Sequence, residues 1–510
     1  MNITEIMMKK FLGLVVVLAA LVLGGYYGMG LITERTLEKN IEIINQTNGV
    51  FVDIENYHRG WYTSTAVLNW RLHTPERLSK NSNGESTTIA AQDYKIQMPI
   101  TIYHGPIIYS DTGIRFGLGY VRSDVVMPQE YAEKFSNMFT AESTKPQVSF
   151  SVFVNYLNNS NLHIDIPAFK LISKQGGDQF EWNGMRSHLS ASSNLRDING
   201  GFAIDGAGMT KNKVNITLGK LISNYNLHQT DEGIYLGSAS LTLPSFVVTE
   251  NAQKILDVEQ FTLSSSSDIN SGLFNSQFTT SLNKVTAHER VYGPARLEMS
   301  IKNIDAQALA ELNTAANKIQ QGAEAERQQA LLAMIPVLPK LFGKGAQFEV
   351  STFSLVVPEG TIEGNLLVSL PKGDTGNPFQ LLQKVVGHGT LKVPAMMLKG
   401  LMVVSAKQKL LSQPTLQQAM VQQMKTNDSA QEKIGETPNS PAQDNQVQNK
   451  PLAAVDVEQQ ATAQADQELS NMVNTGLIVL QGTEYVIDVN LAQGQLSVNG
   501  KPFTPAMMQF

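Results

Sequence analysis

The sequence predicts an α+β, β-rich protein: an N-terminal transmembrane helix followed by a large curved antiparallel β-sheet body with packed helices. Three observations carry that expectation. Phe11 to Ile32 is an uncharged apolar run. From Gly49 to about Ser300 apolar and polar residues alternate with a period of two, the pattern of strands with one buried and one wet face. Helical spacing returns only in limited stretches after Asp305. The composition agrees. Charged residues make up 16% of the chain, below the roughly 25% of ordinary soluble domains, and Ser, Thr, Asn and Gln fill the difference. With Cys 0, no disulfide or thiolate metal site can form. A net charge of -6 gives no basic footprint and argues against nucleic acid.

At roughly 1.5 Å per residue, residues 11–32 reach across a hydrocarbon core of about 30 Å. Lys9 and Lys10 before the run and Glu34 and Arg35 after it favour a cytoplasmic N-terminus, residues 1–10, with the rest exported. A cleaved signal peptide is the competing expectation. The run is longer than the usual 7–15 residues and Leu23-Gly24-Gly25-Tyr26-Tyr27 offers no good cleavage site, so a retained anchor is expected. Met8-Lys9-Lys10 also reads as a natural start. Residues 33–48 follow as an amphipathic stalk helix, with Leu37, Ile41 and Ile44 at helical spacing.

Residues 49–300 form the β-rich periplasmic region. Val50, Val52 and Ile54 alternate with Phe51, Asp53 and Glu55, and Ser64, Ala66, Leu68, Trp70 and Leu72 with Thr63, Thr65, Val67, Asn69 and Arg71. Gly60 is expected to supply the positive φ of the turn between them. Residues 80–85 form another turn, and a strand over residues 94–103 ends at His104-Gly105-Pro106.

The segment NYHRGWYTSTA from Asn56, and IYHGPI at Ile102 to Ile107, are similar to the pattern of the YdgA/YihF-type bacterial envelope proteins, a family of unknown function. Tyr292-Gly293-Pro294-Ala295-Arg296 with Ile301-Lys302-Asn303-Ile304-Asp305 resembles that family's middle segment. Tyr485 with Leu496-Ser497-Val498-Asn499-Gly500-Lys501-Pro502 resembles its end. The resemblance implies a protein anchored in the inner membrane of a Gram-negative envelope, and it supplies no catalytic residues. A more distant architectural similarity, an anchor followed by long β structure, is to AsmA-type proteins, thought to move phospholipid between membranes.

Through residues 147–300 the strands continue, among them Val148 to Val154, Leu162 to Ile166, Val214 to Leu218 and Leu241 to Val248. LHIDIPAFKLI at Leu162 to Ile172 and LTLPSFVVT at Leu241 to Thr249 share a plan, a strand, a proline and a second apolar strand. Such prolines mark edges or bulges where a sheet bends. Residues 301–425 mix helix and strand. Asp305 caps a helix over residues 306–321, a second part runs 323–335, strands resume at Phe348 and Ile362, and helices follow over residues 378–386 and within 393–424. Met396, Met397, Met402, Met420 and Met424 give the last an adaptable surface, read as packing against the sheet before lipid contact. Residues 426–454 contain a disordered polar loop, and 455–510 a helix plus closing strands.

No nucleotide-binding, hydrolase or zinc-protease motif is present, so the protein is not expected to be an enzyme. Ser281-Leu282-Asn283-Lys284 matches S-x-x-K in a strand setting without companion motifs. The histidines are scattered, and neither a metal nor another cofactor is expected. A site assembled from His58, His104 and an acid such as Glu55 is weighed against plain turn hydrogen bonding, and the latter is preferred. The candidate interaction loop is Tyr57, His58, Arg59, Trp61, Tyr62 and His104, whose aromatic rings beside an arginine suit a lipid-headgroup or protein contact. Two functions follow. One is binding or conducting phospholipid along an apolar sheet groove for envelope maintenance, which requires an apolar face that helices 306–335 and 394–424 leave open. The other is a structural protein that self-associates as a homo-oligomer or scaffolds envelope partners, in which those helices fill the face. The inner membrane is the expected partner in both.

Overall fold

In the computed structural model the strands begin where the period of two begins. β1 (Val50–Arg59) turns back at Gly60 into β2 (Thr63–Thr74), with Val52 opposite Trp70 and Ile54 opposite Leu68. The structure describes residues 22–39, 41–42, 45, 50–74, 77–80, 86–90, 92–110, 113–125, 127, 129–321, 331–373, 383–411 and 452–504. The chain divides into two compact units, one within residues 1–290 and 305–338 and one within residues 291–304 and 339–510.

In the first unit β3 (Arg77–Lys80) and β4 (Ser86–Ile89) form a separate hairpin. After β5 (Gln92–His104) a second hairpin, β6 (Ile108–Ser110) with β7 (Gly113–Arg115), precedes β8 (Gly119–Val125) and β9 (Val148–Val154). Then come β10 (Ser160–Ile166), β11 (Phe169–Ile172), β12 (Gln179–Trp182), β13 (Met185–Ala191), β14 (Asp197–Ile204) and β15 (Ala207–Lys211). β16 (Val214–Leu218), β17 (Leu221–Gln229), β18 (Tyr235–Glu250), β19 (Gln253–Asn270) and β20 (Leu273–Ala287) complete the set. The sheet runs β1-β2-β5-β8-β9-β10-β13-β14-β17-β18-β19-β20, every pairing antiparallel.

A row of breaks crosses this sheet. β10 and β11 are separated by Pro167-Ala168, β12 and β13 by Asn183-Gly184, β14 and β15 by Asp205-Gly206, and β16 and β17 by Gly219-Lys220. β18 continues through Pro244 at the same level, and β19 through Gln260, whose φ is 51. Register is kept across the row: Ile166 pairs with Met185 before it and Phe169 with Trp182 after it. The two proline-centred segments share a plan because Pro167 and Pro244 occupy this row. Gly206 has φ +127, and a Cβ there would sit 2.9 Å from the Leu218 carbonyl oxygen. A side chain is excluded by both conformation and space.

Cross-strand partners share a face, so the register identifies each face. On one side Ile102 stands opposite Val121, Val121 opposite Val152, Val152 opposite Leu162 and Leu162 opposite Leu189. The same face continues through Phe202, Leu241, Leu263 and Phe278. The other side carries Asn224, Asn226, Ser238, Ser264, Ser266 and Gln277, which line an open polar trough. Beyond the breaks the apolar set shifts by one: Phe169, Trp182, Phe180, Met209, Ile216 and Val248 are out of phase with Ile166, Met185 and Leu241.

The expected transmembrane helix is corrected here. Residues 22–39 are one helix with no break between 32 and 33, so the C-terminal part of the apolar run and the start of the stalk are a single element. Among the described residues no helix is long and apolar enough to cross a membrane; residues 11–21 lie outside the description. The physical reason is that this helix has a sheet to lie on. Tyr26, Gly30, Leu37 and Ile41 recur along one side. Leu37 and Ile41 pack with Val52, Ala66, Leu68, Met98, Ile100 and Ile102, and that core ends at Val121 and Val125. Asn45 then pairs with the backbone of Val52 through both its amide atoms, at 2.9 and 2.6 Å.

In the second unit, after β21 (Arg290–Tyr292), β22 (Ala295–Asp305), β23 (Gln347–Val357), β24 (Gly360–Ser369) and β25 (Val386–Pro394) pair in sequence. β26 (Val479–Gln481) forms a hairpin with β27 (Glu484–Ala492), which pairs with β25 and with β28 (Gln495–Val498), followed by β29 (Lys501–Pro502). The helices Ala395–Leu411 and Leu452–Thr475 pack together through Ala406, Ala461 and Ala465, all essentially buried. Lys399–Asp466 at 2.6 Å and Lys407–Glu458 at 2.5 Å flank the seam. Met396 is exposed, while Met420 and Met424, like the polar loop of residues 426–450, lie outside the description. So do residues 81–85, 322–330 and 374–382, on which parts of the predicted turn and helices fall. In the first unit, Asp305 accepts a hydrogen bond from the Ala308 amide at 2.9 Å and caps the helix Ala306–Gln321.

Candidate functional site

The turn at residues 60–62 and the turn at residues 104–107 lie side by side, because Thr63 pairs with Tyr103 and the His104 amide donates to the Tyr62 carbonyl at 3.0 Å. Gly60 does not adopt a positive φ; the glycine is required because a Cβ would stand 2.4 Å from the Thr63 carbonyl oxygen. Gly105 does take the left-handed region, at φ +128, with the Tyr26 ring where its Cβ would be.

Alternation, with one irregularity between Glu55 and His58, aims Tyr57 and Arg59 toward the helix and His58 away from it. His58 is exposed and apart from the others. Arg59 bonds Glu34 at 2.9 Å and lies 5.2 Å above the Tyr27 ring, and Tyr27 stands 6.3 Å from Trp61. Trp61 and Tyr62 are 60% and 62% exposed. Glu55 takes a hydrogen bond from Asn69 and joins no histidine; no cluster able to hold a metal occurs among the described residues.

His104 is 1% exposed and shares a 3.0 Å hydrogen bond between Nε2 and the equally buried Ser64 Oγ. The Tyr57 hydroxyl lies beside Ser64 without completing a well-formed hydrogen bond, and Nδ1 of His104 likewise has none. Burial holds the His104 imidazole below its ordinary value; the Tyr26 carbonyl works against this and the Arg59 charge adds to it. Burial pushes the Tyr57 phenol up, with Ser64 opposing. The helix closes the pair off: a Cβ on Gly30 would lie 2.8 Å from His104 Cε1. A serine beside a histidine has the form of a nucleophile and base, but here both are sealed under a helix and the ring lacks an orienting acid. What the arrangement does is fix the helix on the sheet. Ser281 of the S-x-x-K match sits in β20 bonded to Thr262 at 2.6 Å, and Lys284 pairs with Glu259.

Sequence reasoning missed Ser64, Gly30 and Tyr26. Ser64 was visible only as a polar residue in a buried phase, between Tyr62 and Ala66.

The site is thus a helix-sealed polar pair at the end of an antiparallel sheet whose apolar face continues beyond the helix. The chain belongs to a bacterial protein family of unknown function (DUF945), whose model matches residues 8–506. No curated protein matches it.

Proposed function

We propose that the protein binds phospholipid in the bacterial envelope, holding acyl chains on the open part of the apolar face of its first unit. One observation carries the reading. From β9 to β20 the apolar face of Phe150, Val152, Leu162, Leu189, Phe202, Leu241 and Leu263 is only half-buried. The helix of residues 22–39 covers the strands up to β8, and Ala395–Leu411 packs on Leu452–Thr475 and β25. Laying a hydrocarbon chain on such a face stabilises by roughly 0.8 kcal/mol per buried methylene. The polar residues of the opposite face keep that side wet. The reading is non-catalytic, and the resemblance to YdgA- and AsmA-type envelope proteins belongs to it.

The test is lipid extraction and mass spectrometry of the full chain, isolated from bacterial membranes and washed in a non-lipid detergent, beside Leu241→Asp and Ser240→Asp variants. Stoichiometric phospholipid that Leu241→Asp loses and Ser240→Asp keeps supports the reading. Equal lipid in all three, or none, overturns it.

A further inference from the structure

A different feature of the first unit, independent of any acyl chain on the sheet face, is the rim at one end of the sheet. Register places three turns there. Thr63 pairs with Tyr103, His104 with Gly119, and Gly119 with Val154, so residues 60–62, 105–110, 113–118 and 155–159 share an edge. The helix of residues 22–39 begins at that edge: the Tyr26 hydroxyl donates to the Ile107 carbonyl at 2.6 Å, and Gly25 faces Pro106.

The rim exposes several large apolar side chains among its polar turn residues. Besides Trp61 and Tyr62, Tyr109, Ile114, Phe116 and Leu157 are each more than half exposed, and Leu157 reaches 76%. These side chains stand on a braced frame. Arg115 lies 4.7 Å above the Tyr120 ring, and the Tyr156 hydroxyl is bonded to the Pro106 carbonyl. Contiguous exposed apolar surface marks a contact site.

We propose that this rim is a docking edge for the surface of a phospholipid bilayer. Two observations select that partner. The mixture of tryptophan and tyrosine with aliphatic side chains presents apolar bodies with polar tips, the chemistry of the boundary between headgroups and acyl chains. The helix that begins at this rim with Val22 is preceded in the sequence by Phe11–Leu21, which carry no charge, and by Lys9 and Lys10, a composition that suits an anionic bilayer. A second copy or another protein would use the same exposed area and is separated by the test.

With Cys 0 in the native chain, single cysteines can be placed at will. Tyr109→Cys, Phe116→Cys and Leu157→Cys, each in the full chain, are labelled with an environment-sensitive fluorophore and reconstituted in phosphatidylethanolamine–phosphatidylglycerol vesicles. Some of the lipid carries a spin label near the headgroup. Asn226→Cys, on the polar face, is the control. The rim positions lose emission to the spin-labelled lipid and the control does not. In otherwise native chain, brominated lipid quenches tryptophan emission, and Trp61→Phe removes the quenched fraction. Rim labels quenched no more than the label at 226 overturn the proposal. Rim labels shielded from aqueous iodide by rising protein concentration without vesicles overturn it in favour of a protein contact.

Discussion

Gly30 and Gly28 are two positions apart on one helix, and the same substitution should move them in opposite directions. Replacing either with alanine raises helix propensity by about 1 kcal/mol. At Gly28 nothing lies within 4 Å of the added Cβ, so the gain is kept. At Gly30 the Cβ meets His104 at 2.8, 3.2 and 3.3 Å, on Cε1, Nδ1 and Nε2. The ring cannot simply swing, because Nε2 is held by Ser64. Either the helix lifts, an overpacking cost of about 1–3 kcal/mol, or the imidazole turns and leaves two buried polar groups unmatched, again about 1–3 kcal/mol. Propensity cancels between the two variants, so their difference isolates the contact at about 1–3 kcal/mol, or about 5–150-fold in the opening equilibrium. Hydrogen exchange of the amides of residues 22–39 reads that equilibrium. Gly28→Ala should slow exchange and Gly30→Ala should speed it, and His104→Ala in the Gly30→Ala background should restore protection through a positive coupling. Equal shifts at the two glycines, or no coupling with His104, would refute the packing of helix on sheet.

The remaining expectations concern other parts of the molecule. Because burial depresses the His104 value, folding favours the neutral ring. Its contribution is complete above the unfolded value of about 6.5 and declines as pH falls from there toward the lower folded value. Tm should therefore drop on acidification through that window, and His104→Gln should flatten the drop; parallel profiles would contradict the assignment. Across the row of breaks, a Cβ on Gly219 would meet Ser245 Oγ at 2.3 Å, whereas one on Gly208 meets only Glu181 Cβ at 3.8 Å. Gly219→Ala should lower the urea midpoint by an amount equivalent to about 1–3 kcal/mol while Gly208→Ala leaves it nearly unchanged. In the second unit Ala465, fully buried at the helix seam, should not accept leucine without a loss of about 1–3 kcal/mol in thermal unfolding. Lys407→Ala, which breaks only an exposed ion pair, should cost about 1 kcal/mol or less.

What the sequence made legible was whatever depends on near neighbours. The alternation at Val50, Val52 and Ile54 became β1, the capping residue Asp305 starts its helix, and Pro167 falls where β10 gives way to β11, with Pro244 at the same level in the unbroken β18. What stayed hidden depends on partners distant in the chain. Phe11 to Ile32 is apolar on every side, so Tyr26 and Gly30 do not stand out within it as continuing the face that Leu37 and Ile41 mark beyond it. Only the imidazole of His104, reached through a different strand, shows that Gly30 faces protein. The pairing of Ser64 with His104 needed the register of β2 on β5, which residues 75–91 between them do not announce. Tyr57 and His58 are adjacent, and the irregularity in β1 decides which of them turns inward. The purpose assigned to Gly60 was a special φ, but the constraint there is the closeness of the Thr63 carbonyl.

The open apolar face is the centre of the account, and a photoreactive diazirine side chain can ask directly what touches it. Placed at Leu241 or Leu263 in growing bacteria, it should form adducts with the mass of phospholipid on irradiation. Placed at Asn226 or Ser264, on the polar face, it should not. Adducts of protein mass at Leu241 and Leu263, or lipid adducts equally frequent on both faces, would contradict lipid binding on that surface.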